Sequence, residues 1–108
     1  MIKATFYNNA EHILKFVITG HAGAGEYGKD IVCSAVSALS ITTANALTKI
    51  AQINPQIIVD NDNGGLLKVT IASFNEKSDV LMQTLRLGLE EIKEQYGDYL
   101  KIEDLVED

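Results

Sequence analysis

The chain has 108 residues, enough for one compact domain, and its 46% hydrophobic and 22% charged residues are a globular rather than a disordered balance. Net charge is −6, yet residues 1–89 carry 7 acids and 7 bases; the excess lies in residues 90–108, where 8 acids face only Lys93 and Lys101. An acidic end without clustered Lys or Arg argues against direct nucleic-acid binding and against anionic membranes, and a single cysteine argues against a disulfide framework and fits a reducing cytoplasm.

The N-terminus enters a strand directly, without the charged, apolar and cleavage regions of a secretory leader. Ile2, Ala4 and Phe6 alternate with Lys3, Thr5 and Tyr7, and Asn8-Asn9 is a turn signal. Leu14, Phe16 and Ile18 alternate in a second strand, so the two read as a hairpin. Residues 20–29 hold four of the eight glycines and no large aliphatic side chain, and read as a turned loop. Asp30 then caps a long helix, roughly 30–51, with Val32, Val36, Leu39, Leu47 and Ile50 on its apolar positions.

No charge interrupts Ile31 to Thr48, a run near the length of a membrane span. Ser34, Ser37, Ser40, Thr42, Thr43, Asn45 and Thr48 make it too polar for lipid, so its uncharged faces are expected to lie against a second helix or another subunit. Pro55 opens an extended segment, Gln56 to Val59, which turns through Asp60 to Gly65 into Leu67, Val69 and Ile71. Leu81, Leu85, Leu89, Ile92 and Tyr96 mark a last amphipathic helix over 76–96. The order ββα-ββα predicts a single α+β domain over 1–108. Its expected architecture is two-layered: an antiparallel-rich, four-stranded sheet with two helices packed on one face.

The only cysteine, Cys33, follows the Asp30 cap by three residues. That places it in the first helical turn, where unpaired N–H groups and the helix dipole favour an anion such as a thiolate. His21 lies at the other end of the glycine loop, so a strand-loop-helix fold can bring imidazole to thiol as base to nucleophile. Asp30 can orient that imidazole or only cap. A lone helical cysteine is also an ordinary small buried hydrophobe, and a loop histidine commonly makes one hydrogen bond. Residue types alone leave both readings open.

The segments Gly20-His21-Ala22 and Tyr27-Gly28-Lys29-Asp30-Ile31-Val32-Cys33-Ser34-Ala35-Val36-Ser37 resemble the signature of the ribosomal-processing cysteine proteases, the Prp family of small bacterial proteins. The resemblance extends over the whole chain through its length and element order, and its specificity is concentrated in residues 20–37. It implies a catalytic dyad of His21 and Cys33, with Asp30, Ser37 and Gly20 in supporting places. It implies a substrate-closing loop containing Gly23, Gly25, Tyr27 and Gly28, whose glycines ease rearrangement. Relatives favour aromatic residues before the cut, and Tyr27 is a candidate wall for the apolar pocket this requires. The implied substrate is the precursor of large-subunit ribosomal protein L-twenty-seven, from which an N-terminal extension is removed. The implied assembly is a homodimer, the compartment the cytoplasm, and no cofactor or metal is required.

Other chemistries fit less well. Gly23 to Asp30 falls one residue short of a phosphate-binding loop, since Asp30 stands where Ser or Thr would hold magnesium. Asp60 to Gly64 starts like a calcium loop, but Ile71 occupies the place of the bidentate glutamate. His21, Asp30 and Cys33 are too few for a structural zinc site. A thiol redox sensor lacks a resolving cysteine in this chain, while a non-catalytic ribosome-associated module would need neither His21 nor Cys33. The acidic end could steer a basic ribosomal protein, or it could be only a solvated helix face.

Overall fold

The computed structural model describes residues 1–20, 27–62 and 64–107, with backbone alone for 27–29. In chain order the elements are β1 (Ile2–Asn9), β2 (His12–Thr19), α1 (Tyr27–Lys49), β3 (Gln56–Asp60), β4 (Leu66–Thr70), α2 (Glu76–Tyr96) and β5 (Leu100–Val106). They form one mixed sheet in the order β3-β4-β2-β1-β5. The α+β class and the two helices agree with the sequence reading; the four-stranded count does not. Residues 100–106 form a fifth strand, parallel to β1, with Ile2 opposite Leu100 and Asn8 opposite Val106.

Alternation decides which face is covered. Ile2, Ala4 and Phe6 of β1 are buried, as are Phe16 and Ile18 of β2 and Leu67 and Val69 of β4. The registers Phe6–Phe16–Val69 and Ala4–Ile18–Leu67 put these side chains on one face, where they share a core with Val32, Val36, Ala44 and Leu47 of α1 and Met82, Leu85 and Leu89 of α2. Lys3, Lys15 and Lys68 belong to the opposite register face, which therefore needs no cover. Between the helices, Gly88 admits Leu39: a Cβ there would meet Leu39 Cδ1 at 3.0 Å.

Turn positions differ from the sequence reading in two places. A register shift at Tyr7/Asn8 carries β1 on to Asn9, so the hairpin turns at Ala10-Glu11 with Ala10 at φ 55°. The helix α1 begins at Tyr27 instead of Asp30, because Tyr27-Gly28-Lys29 contains nothing that forbids helix; Asp30 then sits in the first turn, where its charge suits the dipole. At the other end α1 stops at Lys49, followed by Gln52 in the left-handed region at φ 59°. The 76–96 helix stands as read. Its start is fixed by Asn75, whose side chain accepts from Ser78 N–H while the Ser78 hydroxyl accepts from Asn75 N–H. The Asp30–Lys49 stretch has the length and hydropathy of a membrane span, but Val32, Val36, Ala44 and Leu47 on it pack into the core.

The acidic end is built into this sheet. Glu103 pairs with Lys3 and Lys101, Glu107 with Lys15, and Asp104 with Arg86, which also meets Glu90. Bases from the neutral body thus hold acids of the C-terminal strand. Hydrogen bonding from Arg86 keeps the Asp104 carboxyl below its ordinary value, and Lys101 and Lys3 do the same for Glu103. A depressed carboxyl stabilises the fold above its unfolded pKa, and that contribution is lost as pH falls through the lower folded value. Asp104→Asn is therefore expected to lower the melting temperature at neutral pH, with the difference from the parent shrinking as pH drops below the unfolded aspartate range, measured by thermal unfolding across pH.

Ser40 supplies a second stability test. It is 1% exposed on α1, and its hydroxyl has no hydrogen-bond partner among the described residues. Ser40→Ala removes that unsatisfied group and favours helix, so we expect it to raise unfolding free energy by about 1 kcal/mol in denaturant titration.

Candidate active site

The site is set by how β2 ends. Past Thr19, Gly20 takes φ 78° and its N–H donates to the Gly65 carbonyl at 3.2 Å, tying the strand end to the β3–β4 turn. Gly20 also packs against the first residue of the chain: a Cβ added there would lie 2.5 Å from the Met1 carbonyl oxygen. Both the left-handed backbone and the missing side chain are required. With the chain turned this way, the Gly20 carbonyl faces α1. Cys33 is 6% exposed, and its thiol donates to the Gly20 carbonyl oxygen at an Sγ–O distance of 3.9 Å, the long end of a weak S–H contact.

The two motif segments therefore converge, since the carbonyl that meets the thiol belongs to the peptide bond shared with His21. His21 itself, with Gly23 and Gly25, lies outside the described residues. The earlier start of α1 revises the neighbourhood of the thiol. Asp30 is inside the first turn and is not the N-cap; it is exposed and engaged in an interaction rather than free. Cys33 stands in the second turn, so its own N–H belongs to the helical ladder and not to the first-turn amides. The first-turn placement read for this cysteine, three residues after an Asp30 cap, therefore does not hold. Tyr27 and Gly28, read as part of the substrate loop, have helical backbone instead; the Tyr27 side chain lies outside the described residues.

Ser37 follows Cys33 by one turn and is half-buried, but no hydrogen bond joins the two among the described residues. The sequence reading missed Met1 and Gly65, which position Gly20 through their carbonyl groups. The Gly64-Gly65 pair was visible as a turn signal, with both residues at positive φ, but nothing local shows that the turn reaches the end of β2. Among the described residues no three His, Cys, Asp or Glu side chains gather in a way that could hold a metal ion.

The family model for the cysteine protease Prp matches residues 1–101. The chain belongs to the Prp family of cysteine proteases. It is 31% identical over 96 residues to the ribosomal processing cysteine protease Prp of Staphylococcus aureus, covering 88% of this chain and 90% of that one. It is 31% identical over 107 residues to the Bacillus subtilis protein of the same name, covering 94% and 96%. A Streptococcus mutans crystal structure superposes with a TM-score of 0.92 at 33% identity, over 99% of this chain and 96% of that one. The S. aureus Prp structure in complex with a substrate peptide superposes with a TM-score of 0.88 at 29% identity, over 96% and 99%. Its counterpart with a covalently linked product peptide gives 0.84 at 31%, with the same coverage. The Prp membership makes this chain an enzyme that hydrolyses peptide bonds.

Gly20→Ala tests whether the junction holds the site. We expect a stability loss of about 2 kcal/mol or more from the left-handed backbone and the Met1 contact, together with loss of peptidase activity. Cys33→Ala, which disturbs no backbone, is expected to stay within about 1 kcal/mol of the parent in the same denaturant titration.

Proposed function

We propose that this protein removes the N-terminal extension of ribosomal protein L-twenty-seven by Cys–His acyl transfer, as a homodimer in the cytoplasm. The observation that carries the reading is the Cys33 thiol lying against the Gly20 carbonyl, one residue before His21, in a chain of the Prp family. The thiolate of Cys33 attacks the scissile carbonyl carbon, His21 protonates the departing amine, and His21 then activates the water that releases the acyl group. The covalently linked product peptide of the S. aureus relative supports a covalent route, and that relative's name supports a ribosomal substrate. Asp30, exposed, and Ser37, half-buried, act as positioning residues on the same helix. The homodimer reading is supported by α1, where Ser34, Ala38, Ile41, Thr42 and Asn45 are exposed and uncharged.

A precursor peptide spanning the extension separates this reading from a redox sensor or a non-catalytic ribosome-associated module. Mass spectrometry of the reaction is expected to show one discrete N-terminal cut that disappears in both Cys33→Ala and His21→Ala, with rates reduced by at least about 10³-fold. A cut that survives either substitution would leave the dyad without its role.

A further inference from the structure

The row of the sheet that carries Gly20 continues beyond β1. Leu100 pairs with Ile2, Lys3 with Thr19 and Thr19 with Leu66, so Leu100, Ile2, Gly20 and Gly65 stand side by side at one end of the sheet. Tyr99 is the residue before this row. Its carbonyl accepts from the Ile2 N–H at 2.9 Å, and its own N–H donates to the Tyr96 carbonyl at 3.0 Å. Tyr96 is the last residue of α2, so the turn 96–99 ties the end of that helix to the first residues of the chain. Those are the residues that lie against Gly20: an added Cβ there would meet the Met1 carbonyl oxygen at 2.5 Å and the Ile2 Cα at 3.4 Å.

The same turn reaches α1. Tyr96 lines a groove between the two helices together with Ile31 and Val32, the two residues before Cys33. Tyr96 and Tyr99 are both half-buried and pack against the hydrophobic core that contains Cys33. Gly97 and Asp98 between them are exposed and offer no apolar side chain, so the two rings are what anchors the turn. The Cys33–Gly20 contact is therefore braced on each side. Tyr96 stands beside α1 on the thiol side, and Tyr99 acts through Ile2 and Met1 on the carbonyl side. An S–H contact of 3.9 Å is too weak to hold its own geometry, which these neighbours must supply.

We infer that Tyr99 is a positioning residue of the peptidase: its ring, held in the core, fixes the turn whose carbonyl holds β1 against Gly20. This rests on the reading of Cys33 as the nucleophile and adds to it a residue far outside the Cys–His motif. Misplacing reacting atoms by about 1 Å costs up to about 10²-fold in rate. Tyr99→Ala is accordingly expected to lower kcat at least about tenfold, with KM within about twofold, on the precursor peptide above. It should also speed alkylation of Cys33 by iodoacetamide about fivefold, because the parent thiol is only 6% exposed. Tyr99→Phe, which keeps the ring, should match the parent in both measurements. Leu81→Ala truncates another half-buried side chain packed on the core, about 22 Å back along α2 from Tyr96. It should lower the melting temperature and leave both measurements unchanged. Tyr99→Leu replaces Tyr99→Ala in the same comparison if the smaller side chain prevents folding. Unchanged kcat and alkylation without the ring would overturn the inference. Equal losses in Leu81→Ala would also overturn it, making the effect one of global stability, as would equal losses in Tyr99→Phe, which would assign the effect to the hydroxyl. A parent that cleaves no peptide removes the nucleophile reading, and the alkylation rates then decide the positioning of the thiol by themselves.

Discussion

The end of β2 is the constraint on which the site depends. A glycine at φ 78° turns the chain beside the Met1 carbonyl, leans on the Gly65 carbonyl, and leaves its own carbonyl aimed at the Cys33 thiol. Three segments distant in sequence, the first residue, the β3–β4 turn and α1, are brought to one point by backbone contacts. Side chains therefore set little of the local geometry, and a single methyl group at Gly20 is enough to disturb it. Cys33 is carried on a helix whose core face is fixed by Val32, Val36 and Leu47, so thiol and carbonyl share one packed frame.

The sheet has two unlike edges. At one, β5 carries acids, and Lys3, Lys15 and Arg86 from the rest of the fold neutralise Glu103, Glu107 and Asp104. Three of the eight acids in residues 90–108 are thus engaged in holding a parallel edge strand, while the net charge of the chain stays −6. At the other edge, β3 carries no charge from Gln56 to Val59 and exposes Ile57, Ile58 and Val59. Each edge strand lies two strands from β2, whose Gly20 end meets the thiol; Asp104 and Glu107 sit toward the opposite end of β1, beside Phe6 and Asn8, whereas β3 reaches the level of Thr19 at Asp60.

Legibility followed the range of the interactions. The hairpins and α2 could be read because alternation, helical spacing and the Asn75–Ser78 neighbourhood are local signals. β5 could not, because Leu100 and Ile102 face inward but Asp104 interrupts the pattern, and the cations that make it tolerable come from Lys3, Lys15 and Arg86. The start of α1 was misplaced because Asp30 is as suitable in a first turn as in a cap, and its residue type does not distinguish them. Of the site, Cys33 and Gly20 were legible through their motif. The contributions of Met1 and Gly65 are backbone contacts at long sequence separation and leave no local trace.

The central claim is that the Cys33 sulfur becomes covalently attached to the substrate. Rapid acid quench of enzyme with precursor peptide, followed by intact-mass spectrometry, tests it directly, because Cys33 is the chain's only cysteine. The account expects a transient adduct with the mass of the N-terminal fragment less water, mapped to the peptide containing Cys33. Cleavage proceeding at the parent rate after complete alkylation of that thiol would contradict it.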